Sequence, residues 1–169
     1  MKIWKSIPAT ILLLASLSSC HDSSDDTTSS FLTYQSFQEI LDCKVTFNGV
    51  AHYVTKKTIT SGNINTVPFS RVSNALSVGA VMIVVGAGDQ VTITIPGADT
   101  MTYDTYVGTC PINTNNSPDG DDAAHFSGGG GNGLNGSSTN TFTAVIPGTY
   151  TLYFAGAPPA DPAIIVQVN

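Results

Sequence analysis

The sequence predicts an all-β protein: a single antiparallel β-sandwich, jelly-roll or immunoglobulin-like, with a short helix at its N-terminal end. Three observations carry that expectation. Many short runs of strand-forming residues are separated by proline and glycine turns, the spacing of a sandwich or barrel. Charges are few (11%), while sixteen glycines and nine prolines punctuate the chain. Within the runs, Val91, Ile93 and Ile95 alternate with Thr92 and Thr94, the period of a strand with one buried face.

Taken in order, the chain opens with Lys2 and Lys5, an apolar stretch from Ile7 to Leu17, then Ser18, Ser19 and Cys20. This is the order of regions in a secretory signal. The apolar stretch is shorter than the roughly 20 residues that span a bilayer core. Leu17-Ser18-Ser19-Cys20 resembles the lipobox of bacterial lipoproteins. The resemblance implies cleavage before Cys20, leaving residues 1–19 as signal peptide, and acylation of Cys20, so that the partner of the mature N-terminus is a membrane reached through a lipid anchor. The other reading is an ordinary signal peptide with a free cysteine. His21 follows the cysteine rather than aspartate, so the inner-membrane retention signal of enteric lipoproteins is absent. The outer membrane, periplasmic or surface-facing, is the expected address.

Residues 20–30 form the lipidated cysteine and a tether, HDSSDDTTSS after Cys20, with no apolar residue to bury; such a composition predicts disorder. Without Lys2 and Lys5 the chain keeps twelve acids against Lys44, Lys56, Lys57 and Arg71, a formal charge of −8. That balance excludes nucleic acid as a partner, since binding it needs a basic surface. Residues 31–169 are about 140 residues, the size of one domain.

Within that domain, apolar positions 31, 34, 37, 40 and 41 fit one face of a short helix. Lys44 to Tyr53 then holds Asn48-Gly49 between two strand-like runs, the strongest short hairpin signal. Further strands are expected at Thr58 to Ile64, Val67 to Val72, Val78 to Val85, Gln90 to Ile95, Thr102 to Val107, Thr141 to Ile146, Thr149 to Ala155 and Ile164 to Val168. Val78 to Val85 is apolar on both faces and reads as a central strand. Turns fall at Gly86 to Asp89, Pro96 to Asp99 and Pro147-Gly148.

The order Ala87-Gly88-Asp89-Gln90-Val91-Thr92-Ile93-Thr94-Ile95, an Asp- and Tyr-containing strand over Asp99 to Tyr106, a polar loop with Asp119-Gly120-Asp121-Asp122, then Pro147-Gly148-Thr149-Tyr150-Thr151-Leu152 resembles the bacterial pre-peptidase C-terminal domain. The likeness covers residues 78–168. It implies a small jelly-roll-like sandwich, of a kind often binding calcium or a polymeric substrate. The chain departs from the pattern in having no preceding catalytic domain, a glycine-expanded loop and no recognisable ligand spacing, so only the fold is carried over.

Three segments bear on chemistry. Cys43 and Cys110, the pair left once Cys20 is acylated, are expected to form a disulfide in an oxidising compartment; buried thiols, or a catalytic cysteine beside His52 or His125, are the other readings. Asn113 to Asp122 supplies the hard oxygen ligands calcium prefers, with Asp119, Asp121 and Asp122 as candidate metal ligands. An EF-hand alignment puts Phe126 where the bidentate glutamate belongs, leaving an irregular calcium site or a solvated turn. Ser127 to Ser138 is glycine-dense but lacks the Lys-Ser/Thr of a phosphate loop.

No G-x-S-x-G, no H-E-x-x-H and no aromatic-flanked carboxylate pair occurs, so no enzyme is predicted. The expected function is a non-catalytic binding module for a glycan, a protein or calcium; the alternative is a structural or assembly lipoprotein docked on a protein partner. The module reading leans on Asn113 to Ser138, a polar excursion longer than compact domains ordinarily carry without function or disorder.

Overall fold

The computed structural model describes residues 42–62, 64–95, 100–121, 123–128, 132–135, 138–157 and 164–169. The expected helix at 31–41, the tether and Cys20 lie outside them. The described chain is all-β, fourteen strands in three sheets.

The first sheet starts with a hairpin, β1 (Asp42–Phe47) and β2 (Val50–Thr55), paired with Val45 opposite His52. Asn48 (φ 48°) and Gly49 (φ 78°) both take positive φ, which a two-residue type I′ turn demands at both central positions. After it come β3 (Thr58–Ile59), β4 (Ile64–Thr66), β5 (Phe69–Ser73), β6 (Leu76–Val85), β7 (Gln90–Thr94) and β8 (Thr100–Val107). The run expected at Thr58 to Ile64 is broken because Gly62, at φ 84°, turns the chain. The remainder is β9 (Ile112–Asn113), β10 (Phe126–Ser127), β11 (Asn132–Asn135), β12 (Thr139–Ala144), β13 (Gly148–Gly156) and β14 (Ile165–Val168).

The central sheet is ordered β11-β8-β13-β6-β3, with β5 sharing the β6 edge that β3 uses further along. An outer sheet, β10-β12-β7-β14-β4, covers one face of it, and the small sheet β2-β1-β9 covers the other. The alternation along β6 shows why it is apolar throughout. Val81, Ile83 and Val85 join Tyr150, Leu152, Phe154, Ile93 and Phe142 in the larger core, while Val78 and Ala80 join Val45, Val54, Tyr106 and Tyr153 in the smaller one. The sandwich is as expected, and the hairpin and β9 add a third layer to it. All strand pairs are antiparallel except the two-residue contacts β1–β9 and β3–β6.

The described parts of the excursion at 113–138 are woven into this frame. Thr114 donates from its backbone N–H to the Thr46 carbonyl beside β1. Gly120 donates to the Thr105 carbonyl along β8, β10 pairs with β12, and β11 returns to β8. One polar segment thus closes the rims of all three sheets. Gly120 is required where it crosses β8, since a Cβ there would lie 3.0 Å from the Thr105 carbonyl oxygen.

Candidate binding face

Cys43 and Cys110 are joined, with Cα atoms 5.3 Å apart, so the disulfide ties β1 to the segment entering β9 and neither sulfur is a nucleophile. Asp119 and Asp121 act on the sheet edge. The Val107 N–H donates to Asp119 Oδ1 at 2.6 Å, and the Thr105 N–H donates to Asp121 Oδ1 at 2.7 Å. Each carboxylate therefore stands in for the strand missing from that half of the β8 edge. Asp122 lies outside the described residues, and among those described no three His, Cys, Asp or Glu side chains converge in a metal-binding group.

Behind these acids, β8 and β13 place Asp104 directly opposite Tyr153, with the Tyr106 ring edge-on to Tyr153 at 6.5 Å. Burial raises the Asp104 carboxyl above its ordinary range. Burial also raises Asp121, helped by the charges of Asp104 and Asp119 and opposed by the Thr105 N–H and hydroxyl. The Tyr106 phenol is pushed up to about 12, by burial first and then by Asp104, Asp121 and Asp119. Tyr153 is raised further by burial, Tyr106 and Asp104. Its hydroxyl is buried without a hydrogen-bond partner. This cluster sits under the excursion at the sheet edge, where sequence reading saw only the loop acids.

The outer face of the β10-β12-β7-β14-β4 sheet has a different chemistry. Strand alternation turns Phe142, Val91, Ile93, Val166 and Val168 into the larger core, leaving the intervening residues outward. Across the middle, Thr141, Thr92 and Gln167 form one row, and Thr139, Thr94 and Ile165 the next. The third row is Thr143 beside Gln90, whose backbone exchanges two hydrogen bonds with Asn169. Thr92 and Thr141 hydroxyls meet at 3.1 Å, and those of Thr94 and Thr139 at 3.2 Å.

No strand of this sheet contains a charged residue. Comparison of the chain with protein-family models, curated proteins and solved structures returned no match. The functional argument therefore rests on the chain's own surfaces. The alternation of Thr139, Thr141 and Thr143 is visible in the sequence, as is that of Thr92 and Thr94. Their union in one grid is not, because β7 and β12 are about 45 residues apart and their register is set by tertiary pairing.

A second surface lies at the end of the sandwich where β6 and β8 finish and β13 begins. Val84, Val107, Val145 and Ile146 are each 40–47% exposed there. His125 is nearby, its carbonyl accepting from Val145 and Ile146 and its ring edge-on to Tyr150 at 5.8 Å. The glycine-dense stretch divides between β10, β11 and residues outside those described.

Proposed function

We propose that the chain is an envelope-anchored bacterial lipoprotein, cleaved before Cys20 and acylated there, whose sandwich is a non-catalytic binding module for a glycan, a protein or calcium. The anchor reading is supported by the order Lys2, Lys5, apolar stretch, Leu17-Ser18-Ser19-Cys20, and the outer membrane by His21 in place of aspartate. The observation that carries the module reading is the charge-free outer face. Ordinary protein surfaces are about a quarter to a third charged. Charges make a surface expensive to strip of water, and the centres of interfaces are depleted of them. A sheet whose strands carry no charged side chain, in a chain of net charge −6, is suited to being covered.

The exposed valines and Ile146 at the sandwich end favour a second reading, a structural or assembly lipoprotein that docks on a protein, because exposed aliphatic patches mark protein contacts.

One set of variants of the anchored protein separates the two. T92K/T141K plants charge in the sheet face, and V107D/I146D plants it at the sandwich end. Loss of envelope-ligand binding with the first variant alone is expected. Loss with the second alone, together with loss of a co-purifying envelope protein, supports the structural reading, and no effect of either sinks both. For the anchor, C20A is expected to leave the membrane fraction and lose incorporated fatty acid.

A further inference from the structure

The binding-module reading underlies a narrower inference about what the charge-free face takes: we infer that it is a docking surface for an uncharged polysaccharide, laid across β12, β7 and β14. The chemistry of the face decides among occupants. Its outward groups are hydroxyls and carboxamides, with one aliphatic side chain, Ile165, in the central rows. Hydroxyls and carboxamides both donate and accept hydrogen bonds, as the hydroxyls of a sugar polymer require. Neighbouring strands lie about 4.8 Å apart and alternate residues roughly 6.8 Å apart, so Thr139, Thr141, Thr92 and Thr94 repeat polar contacts along a regular grid. Their methyl groups supply the apolar spacing between hydroxyls that sugar-ring C–H groups pack against.

Other occupants fit less well. Nucleic acid and acidic glycans need cations to neutralise them, and the strands of the face contain none; Lys57, which donates to the Thr66 carbonyl at 2.8 Å, stands at the β4 edge, outside the central rows. Protein interface cores favour aromatic residues, methionine and arginine, and the outward rows contain none of these. A second copy meets an area limit. Five strands of two to six residues, twenty in all, give a face of about 330 Å², less than half the roughly 800 Å² per partner of a standard stable interface, and two acidic chains repel. A polymer of neutral sugars has no such minimum, because many anchored copies engage one strand of polymer and avidity supplies what each site lacks.

The test uses the full lipoprotein in detergent, run by affinity electrophoresis through gels containing a linear β-glucan, an α-mannan or, as acidic controls, hyaluronan and polygalacturonate. At least one neutral polymer is expected to retard the protein several-fold more than either acidic one. T92K/T141K should abolish the retardation. T92S/T141S, which keeps the hydroxyls but loses two methyl groups, should be retarded less than the wild type and clearly more than T92K/T141K, and V107D/I146D, which leaves the face intact, should retain the full retardation. Sedimentation of each variant checks that T92K/T141K is folded and has the wild-type mass. Retardation that survives T92K/T141K overturns the inference, as does equal retardation by acidic polymers. A dimer that T92K/T141K dissociates assigns the face to a second copy and overturns it too. If no polymer binds but T92K/T141K still releases an envelope protein, the polysaccharide fails while the module reading stands.

Discussion

Tyr153 carries a hydroxyl into the layer between the central and small sheets at 3% exposure, and that hydroxyl has no hydrogen-bond partner. A buried polar group left unbonded costs about 1–3 kcal/mol. Y153F removes the group and keeps the ring against Tyr106, so it is expected to stabilise the protein by about 1 kcal/mol, read as a higher denaturant midpoint with an unchanged slope. Its neighbour Asp104 sets a pH dependence. The folded-state carboxyls of Asp104 and Asp121 are raised, so the native state holds their protons more tightly than the unfolded chain does. Their contribution is full below the ordinary carboxylate range and is lost as pH rises through the raised values. D104N should therefore raise the thermal midpoint at pH 7 and change it little at pH 3. The raised phenols act in the same sense: stability present below about pH 10, where unfolded tyrosine titrates, is lost as pH rises toward the Tyr106 value of about 12.

Between β5 and β6 the chain approaches closely at Gly79. A Cβ on Gly79 would come within 2.7 Å of the Phe69 ring and 2.8 Å of the Pro68 carbonyl oxygen. The ring can shift but the backbone cannot follow cheaply, so G79A is expected to cost about 1–3 kcal/mol, the range for overpacked cores, measurable by urea unfolding. Gly79 also marks the limit of what the sequence discloses. The β1–β2 hairpin was legible because Asn48 and Gly49 encode their turn locally, and β6 because an unbroken apolar run has to be covered on both sides. Strands β9, β10 and β11, of two to four residues, were not legible: each exists through a neighbour already in place, and none is long enough to show a periodicity of its own. For the same reason Asp119 and Asp121 read as loose loop ligands, although one oxygen of each is spent on a β8 amide. The grid of Thr92, Thr94, Thr139 and Thr141 was legible strand by strand and hidden as a surface.

For the molecule as a whole, the small sheet is held to the rest by a modest core and by one covalent tie. Cys43–Cys110 closes a loop with a sequence separation of 67, and a loop of that length corresponds to about 4 kcal/mol in the chain-entropy account. C43A/C110A is expected to lose much of that, with the β1–β2 hairpin the first region to gain amide exchange, since it is otherwise attached by the small core around Val45 and Val54, by contacts of β2 with β5, by the two-residue β9 pairing and by the Thr114 hydrogen bonds to the Thr46 carbonyl. The disulfide itself was legible from the pair of cysteines left once Cys20 is set aside, together with the oxidising compartment the leader implies. The three-layer arrangement was not, because nothing in the residues of β1 and β2 says which face of which sheet they cover.

The position of β14 has a consequence for how the structure assembles. Residues 165–168 emerge in synthesis after the other thirteen described strands, yet they lie inside the outer sheet, bonded to β7 on one side and β4 on the other. Until they arrive, β4 has no neighbour in that sheet, and Val91 and Ile93 lack the cover of Val166 and Val168 in the larger core. The outer sheet is thus completed only when β14 docks between β7 and β4, and pairings so distant in sequence form slowly. A chain ending at residue 163 should stay protease-sensitive under conditions where the full chain resists digestion, and supplying residues 164–169 as a separate peptide should restore part of that resistance.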